Sequence, residues 1–332
     1  MRACVAGWGT AVPDLRLTNA ELEDRVKTTD AWIVERTGIR ERRIARPDET
    51  TASLATEAGA AAIKQAGLSP LDVDLLIVAT ATPEQPIPHT GAFVGDGLGL
   101  HCGSFDLGAG CAGFVYELVT GSALLTGGGL EHVLVIGAEV LSRIIDPTDR
   151  TTAVLFGDGA AALVLEASSE HAPDDGPGLL AFDLGCDGSL ARLLEIPAGG
   201  SRLPTSVETL DQRLQYLKMQ GPEVFRRAVR TVVDSANTAL GRAGMASSDV
   251  DWFIPHQANA RIIDAAAHRL GIPAERTIVN IDRYGNTSAA SIPLAISEAA
   301  DAGDLQAGDV VLLSGFGAGM TWGSAVLRWG RA

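Results

Sequence analysis

The segment DLGAGCAGF, residues 106–114, sets Cys111 among small residues just ahead of the apolar run VYELVTGSALL. A thiol in such company is ordinarily core packing. The same thiol becomes a nucleophile if a strand-to-helix turn holds it, because a helix start offers free N–H groups and the positive end of the macrodipole. That setting is expected to lower the thiol pKa from about 8.5, and Gly110 and Gly113 would let a substrate come close. Two further turns share the design. DWFIP leads into His256 in PHQANARIIDAAAHRLG, and RYGN sets Asn286 before a helix expected to be capped by Thr287 or Ser288. Singly, His256 reads as a satisfied histidine and Asn286 as a turn or cap residue. Together with the glycine loop GFGAG, residues 315–319, they supply a nucleophile, a proton or oxyanion partner and backbone donors, the parts needed for acyl chemistry.

Positioning these turns requires repeated strand–helix units, and the sequence contains them. Short β-rich runs (HVLVIGAEV, AALVLEA, VVLLSGF) alternate with helical ones (FRRAVRTVVDSANTAL, ARIIDAAAHRLG), which argues for α/β layers. Phe225, Val229, Val232, Val233, Ala236 and Leu240 follow helical spacing, with Pro222 near the start. Continuous apolar strands such as DLLIVAT suggest sheets covered on both faces. The chain also resembles itself: AIKQAGLSPLDVD at 62–74 matches ALGRAGMASSDVD at 239–251 without a gap, 177 residues apart. A Ser-, Pro-, Asp- and Gly-rich stretch at 168–178 separates the copies and reads as a linker. The expectation is two similar halves, 1–170 carrying the cysteine and 178–332 carrying the histidine and asparagine, packed as a layered sandwich.

Composition narrows the function. Over 332 residues the net charge is −15, which argues against general nucleic-acid binding. Residues 310–327 carry no charge, yet four glycines, polar residues and a β-branched entry favour strand, turn, strand over a membrane helix. The opening MRACVAGWGTAVPD makes a poor signal peptide. Cys4, Cys102, Cys111 and Cys186 form no C-x-x-C pair and have no ligand-like spacing with histidine, so reduced thiols in a cytoplasmic protein are expected, without a metal.

From AWIVERTGIRERR through the Cys111 segment and DPTDRTTAVLFGDGA to PHQAN, DRYGNTSAAS and GFGAGMTWGSA, the chain resembles β-ketoacyl-acyl-carrier-protein synthase III, of the thiolase-like condensing enzymes. The resemblance covers essentially the whole chain. It implies the thiolase-like duplicated five-layer α/β/α/β/α sandwich and a two-stage reaction with no cofactor. Cys111 would take an acyl group from an acyl-CoA; malonyl-acyl-carrier protein would then lose CO2 and its carbanion would attack the acyl-enzyme. His256 and Asn286 would donate to the enolate oxygen, and the backbone N–H groups of Cys111 and Ala318 would form the oxyanion hole. The resemblance further assigns coenzyme A to Thr28, Trp32, Arg36, Arg150 and Asn259, with Trp32 and Arg150 flanking the adenine. It places the acyl pocket at Phe156, Met219, Phe225 and Phe316. Ile87 of a neighbouring subunit would close that pocket in a homodimer. Two positions depart from the familiar pattern: Ala318 replaces the middle glycine of a G-G-G loop, and Tyr284 stands where H-G-N is common.

Acyl carrier proteins are acidic, so a local basic patch must offset the net charge of −15. Arg226, Arg227 and Arg230 in FRRAVR, with Arg261, would form it; the alternative is an ordinary solvated face. Among rival readings, a thiolase would carry a second cysteine in the C-terminal glycine loop, and SGFGAG has none. A related acyltransferase or condensing enzyme of secondary metabolism stays open, although Asn286 favours decarboxylative condensation. A plant-type polyketide synthase would be longer and lack the Trp32, Arg36 and Arg150 set. A non-catalytic partner subunit would have lost the nucleophile.

Overall fold

The computed structural model describes residues 2–168 and 176–331; most of the expected linker lies outside the described residues. Two sheets form the frame. The first contains β1 (Ala3–Ala11), β2 (Leu75–Ala79), β3 (Gly103–Leu107), β4 (His132–Val140) and β5 (Asp158–Ala167), in the order β1-β5-β4-β2-β3. The second contains β6 (Gly178–Cys186), β7 (Trp252–Pro255), β8 (Val310–Gly317) and β9 (Thr321–Arg328), in the order β7-β8-β9-β6. In both, a parallel pair (β2–β4, β7–β8) continues into two antiparallel pairings (β4–β5–β1, β8–β9–β6). A fifth position in the second sheet is reduced to a single parallel bridge between Phe253 and Thr277. The uncharged run at 310–327 is the β8–β9 hairpin, as its glycines indicated, and no helix among the described residues is long and apolar enough to cross a membrane.

Seven helices matter to the site. α1 (Asp30–Thr37) lies at the cavity mouth. α2 (Thr51–Ala66) and α3 (Thr90–Leu98) cover the outer face of the first sheet. α4 (Gly113–Thr126) and α7 (Ser291–Ala302) lie between the sheets, while α5 (Gly221–Arg242) and α6 (Ala260–Leu270) cover the second. The strand alternation builds this five-layer order, because successive side chains face opposite sides. Val133 and Val135 point inward to Phe114, Leu118 and Ile292; Leu134 and Ile136 point outward to the Ala-rich face of α2. Val311 and Leu313 repeat the inward set, Val310 and Leu312 the outward one.

The 177-residue repeat acquires a physical meaning. Pro70–Asp72 and Ser247–Asp249 are matching 3-10 turns, and β2 and β7 begin at the same offset. In each D-V-D the first aspartate receives the N–H that opens its turn, Ser69 at 2.7 Å and Ala246 at 2.8 Å. The second aspartate receives the N–H of the neighbouring strand's first residue: Asp74 that of His132 at 3.0 Å, Asp251 that of Val310 at 2.9 Å. The motif therefore stitches each helix–turn–strand unit to the next strand of its sheet.

Candidate active site

Cys111 sits in a single 3-10 turn, Gly110–Ala112, between β3 and α4. Gly110 has φ +52°, a conformation that favours glycine. Opposite it, a Cβ on Gly317 would lie 2.6 Å from the Cys111 nitrogen, so the end of β8 passes this close only as glycine. His256 follows β7 directly, and its N–H donates to the Ser314 carbonyl of β8 at 2.8 Å. Asn286 is held by its backbone against the strand leading into β5, donating to Leu155 at 2.9 Å and accepting from Gly157 at 3.0 Å. Its Oδ1 accepts the Ser288 N–H at 2.8 Å, which leaves Nδ2 as the free, donating end of the amide. Neither Thr287 nor Ser288 caps a helix with its side chain; Ser288–Ala290 is a further 3-10 turn and α7 starts at Ser291. Sequence periodicity cannot see that extra turn.

The three side chains are buried, 6–8 % exposed, and line one cavity of about 670 Å3. Burial pushes the Cys111 thiol up to about 11, against the opposing pull of the Ser288 hydroxyl and the backbone N–H groups of Cys111 and Ala318. The expected lowering by the helix start is thus outweighed by loss of water around the sulfur. Burial also pushes His256 down to about 3. The resting pair is a neutral thiol and a neutral imidazole. The backbone N–H groups of Cys111 and Ala318 lie on the sulfur's side of the turn and oppose the rise of the thiol. Ala318 needs no left-handed backbone at this place: among the described residues only Arg213 and Ser288 are non-glycine residues with positive φ.

Trp32, Arg36, Arg150, Asn259, Arg261 and Phe225 line the same cavity. The Arg150 guanidinium already stacks on Trp32, 4.9 Å from the ring centre, so a base can enter between them only if Arg150 swings out. Asn259 is largely occupied: its Oδ1 accepts from Arg261 N–H at 2.9 Å and its Nδ2 donates to the Arg36 carbonyl at 3.0 Å, leaving one amide hydrogen for a ligand. Thr28 does not line the cavity; its hydroxyl is shielded and has no protein partner. Phe156, Met219 and Phe316 are walls of the apolar part, and Phe225 is a half-buried wall under the Arg261 guanidinium. Ile87 is 85 % exposed and lines no part of this cavity, so within one chain it closes nothing. Arg226 and Arg227 are also outside it, both paired with Glu223 at 2.7 and 3.0 Å, and Arg230 pairs with Asp234 at 3.4 Å. The patch is therefore partly self-neutralised, with Arg261 its member at the cavity.

Several residues of the site gave no sequence signal. Leu194 and Leu217 pack with Phe156 from a segment without periodicity. Glu139, buried on β4, accepts from Thr82 Oγ1 at 2.7 Å and from the Ala81 N–H at 3.1 Å, with the Ser288 hydroxyl nearby; burial raises its carboxyl to about 7. Ser291 binds His256 Nδ1 at 2.6 Å. Ser291 ends the SAAS of DRYGNTSAAS, which carried the resemblance and read as a helix start but gave no sign of a contact with His256.

Comparison with known proteins agrees with this geometry. A family model described as 3-oxoacyl-[acyl-carrier-protein] synthase III matches residues 105–188, and its C-terminal counterpart matches residues 240–329. A β-ketoacyl-[acyl-carrier-protein] synthase III of Roseiflexus castenholzii is 48 % identical over 328 residues, 98 % of either chain. The crystal structure of the synthase III from Thermus thermophilus superposes with a TM-score of 0.91 at 47 % identity, covering 99 % of this chain and 100 % of that one. The priming β-ketosynthase of the R1128 polyketide pathway superposes at 0.89 with 36 % identity, covering 98 % and 96 %. With the cysteine, histidine and asparagine gathered in one cavity and the likeness running end to end, the chain belongs to the β-ketoacyl-[acyl-carrier-protein] synthase III family.

Proposed function

We propose that the chain condenses an acyl-CoA primer with malonyl-acyl-carrier protein and so starts fatty-acid chain synthesis. The observation that supports it most is the convergence of Cys111, His256 and Asn286 on one cavity. Cys111 Sγ attacks the thioester carbonyl, the C–S bond to coenzyme A breaks, and the thiol proton leaves on the coenzyme A sulfur. The oxyanion forms between the amides of Cys111 and Ala318. Thiol-for-thioester exchange is nearly isoenergetic, so loss of CO2 drives the second stage. His256 and Asn286 Nδ2, both neutral, donate to the enolate oxygen as it forms. The carbanion closes the carbon–carbon bond and Cys111 leaves as thiolate, to be reprotonated from water.

Trp32, Arg36 and Arg150 at the mouth suit the adenine and phosphates of coenzyme A, and Arg261 suits the acidic carrier. A homodimer in which Ile87 reaches the partner's acyl pocket accounts for its exposure, and free thiols suit a cytoplasmic enzyme. The test is mass spectrometry after incubation with a panel of acyl-CoAs. An acyl adduct on Cys111, lost in Cys111→Ala and discharged by malonyl-acyl-carrier protein, is expected. No adduct with any primer would return the chain to a non-catalytic role, and discharge to an oxygen or nitrogen acceptor would make it an acyltransferase of secondary metabolism.

A further inference from the structure

His256 is useful to the enolate only if the ring nitrogen at the cavity carries the proton. A neutral imidazole has one N–H, and which nitrogen holds it depends on what the other nitrogen meets. Here Nε2 is buried at the cavity with no protein partner, while Nδ1 meets the Ser291 hydroxyl at 2.6 Å. Ser291 itself is 1 % exposed and receives the Gln257 N–H at 3.3 Å. Its single proton has two possible acceptors, His256 Nδ1 and the Ser288 carbonyl at 2.9 Å.

Two features decide between them. The Ser288 carbonyl already accepts the Ser291 backbone N–H, so directing the hydroxyl elsewhere leaves it satisfied. The 2.6 Å separation is in the range of bonds donated by O–H, shorter than the usual range for N–H donors. We propose that Ser291 is the positioning residue that sets the tautomer of His256: it donates to Nδ1, and so places the ring proton on Nε2, facing the cavity. The start of α7 thereby turns a buried histidine into a fixed donor. It also removes the Nε2 lone pair, so His256 does not act as the base for the Cys111 thiol. This role rests on the condensation proposed above.

Ring nitrogen-15 spectra of the full-length, ligand-free protein read the tautomer without any turnover, with His256→Gln used to assign the signals. In the wild type the expected result is a protonated Nε2 and a bare, hydrogen-bonded Nδ1. In Ser291→Ala the signals should move toward a mixture of tautomers. Release of CO2 from malonyl-acyl-carrier protein should then fall by roughly tenfold more than acylation of Cys111, and Ser291→Thr should recover both. A wild-type spectrum with Nδ1 protonated overturns the proposal, and needs no variant to fold. So does a folded Ser291→Ala that keeps the Nε2–H tautomer and loses the two half-reactions equally. A correct tautomer in a protein that condenses no substrate would instead count against the proposed function and leave the role of Ser291 in the tautomer standing.

Discussion

Cys111 and Ala318 show how burial and backbone geometry override residue type. The thiol precedes a helix, yet burial outweighs the helix start and its pKa rises to about 11. Alkylation of the ligand-free protein by iodoacetamide should therefore climb about tenfold per pH unit from 7 to 9, following the thiolate fraction. A plateau below pH 8 would show a thiolate already formed. In the proposed oxyanion hole Ala318 contributes its N–H, while its side chain packs against the Phe156 cluster. Ala318→Gly should acylate within about twofold of wild type, since no left-handed φ is relieved. Ala318→Pro removes the donor and should lower acylation by about 10²–10³ while Cys111 remains in place. Equal activity in both variants would remove Ala318 from the oxyanion hole.

Short elements without a pattern help wall the apolar part of the cavity. The two-residue strands Leu194–Glu195 and Lys218–Met219 pair with each other, bringing Leu194 and Met219 to the cavity, and a bidentate contact ties the segment to the other half: Arg213 donates to Asp146 at 2.6 and 2.7 Å. Two residues hold no period, so the stretch between β6 and α5 carries no readable pattern, whereas the 22-residue α5 is plain from its stripe and Pro222. Burial alone would raise the Asp146 carboxyl, but Arg213 and Thr148 outweigh it and hold it at about 2. The folded value lies below the unfolded one, so this contribution is full above the ordinary 3.8 and fades as the pH falls toward 2. Arg213→Ala should lower the unfolding temperature by a constant amount from pH 7 to 4.5 and by less at pH 3. It should also blunt discrimination among primers, read as ratios of kcat/KM. A deficit that stays the same at pH 3 would remove the ion pair as its cause. At the rim, Glu223 already neutralises Arg226. Arg261→Glu should then raise KM for the carrier-bound donor several-fold more than Arg226→Glu does, with acyl-CoA less affected. Equal shifts for the two donors would dismiss the patch.

For the whole molecule, the legible part was the duplication. D-V-D at one offset marks real strand pairing, and three polar or glycine-rich turns at strand ends mark the site. What stayed hidden was buried polarity supplied from a distance in sequence, such as Glu139 beside Ser288 and Ser291 beside His256, since no single window contains both partners. That buried polarity also governs how folding responds to pH. His256 falls from 6.5 to about 3 on folding, so between these values the unfolded chain binds a proton that the folded chain refuses, and stability drops as the pH falls. Glu139 moves the other way, from 4.5 to about 7, so the folded chain takes its proton first and stability rises as the pH falls through that window. The two slopes oppose each other between 6.5 and 4.5, and below that Glu139 no longer offsets His256. Removing the histidine should expose the balance. In His256→Gln, urea unfolding should gain on the wild type by about 1.4 kcal/mol for each pH unit below 6.5, from pH 6.5 to 4. A gap between the two proteins that does not change with pH would mean that His256 titrates alike in both states, and that the neutral imidazole is not imposed by the fold.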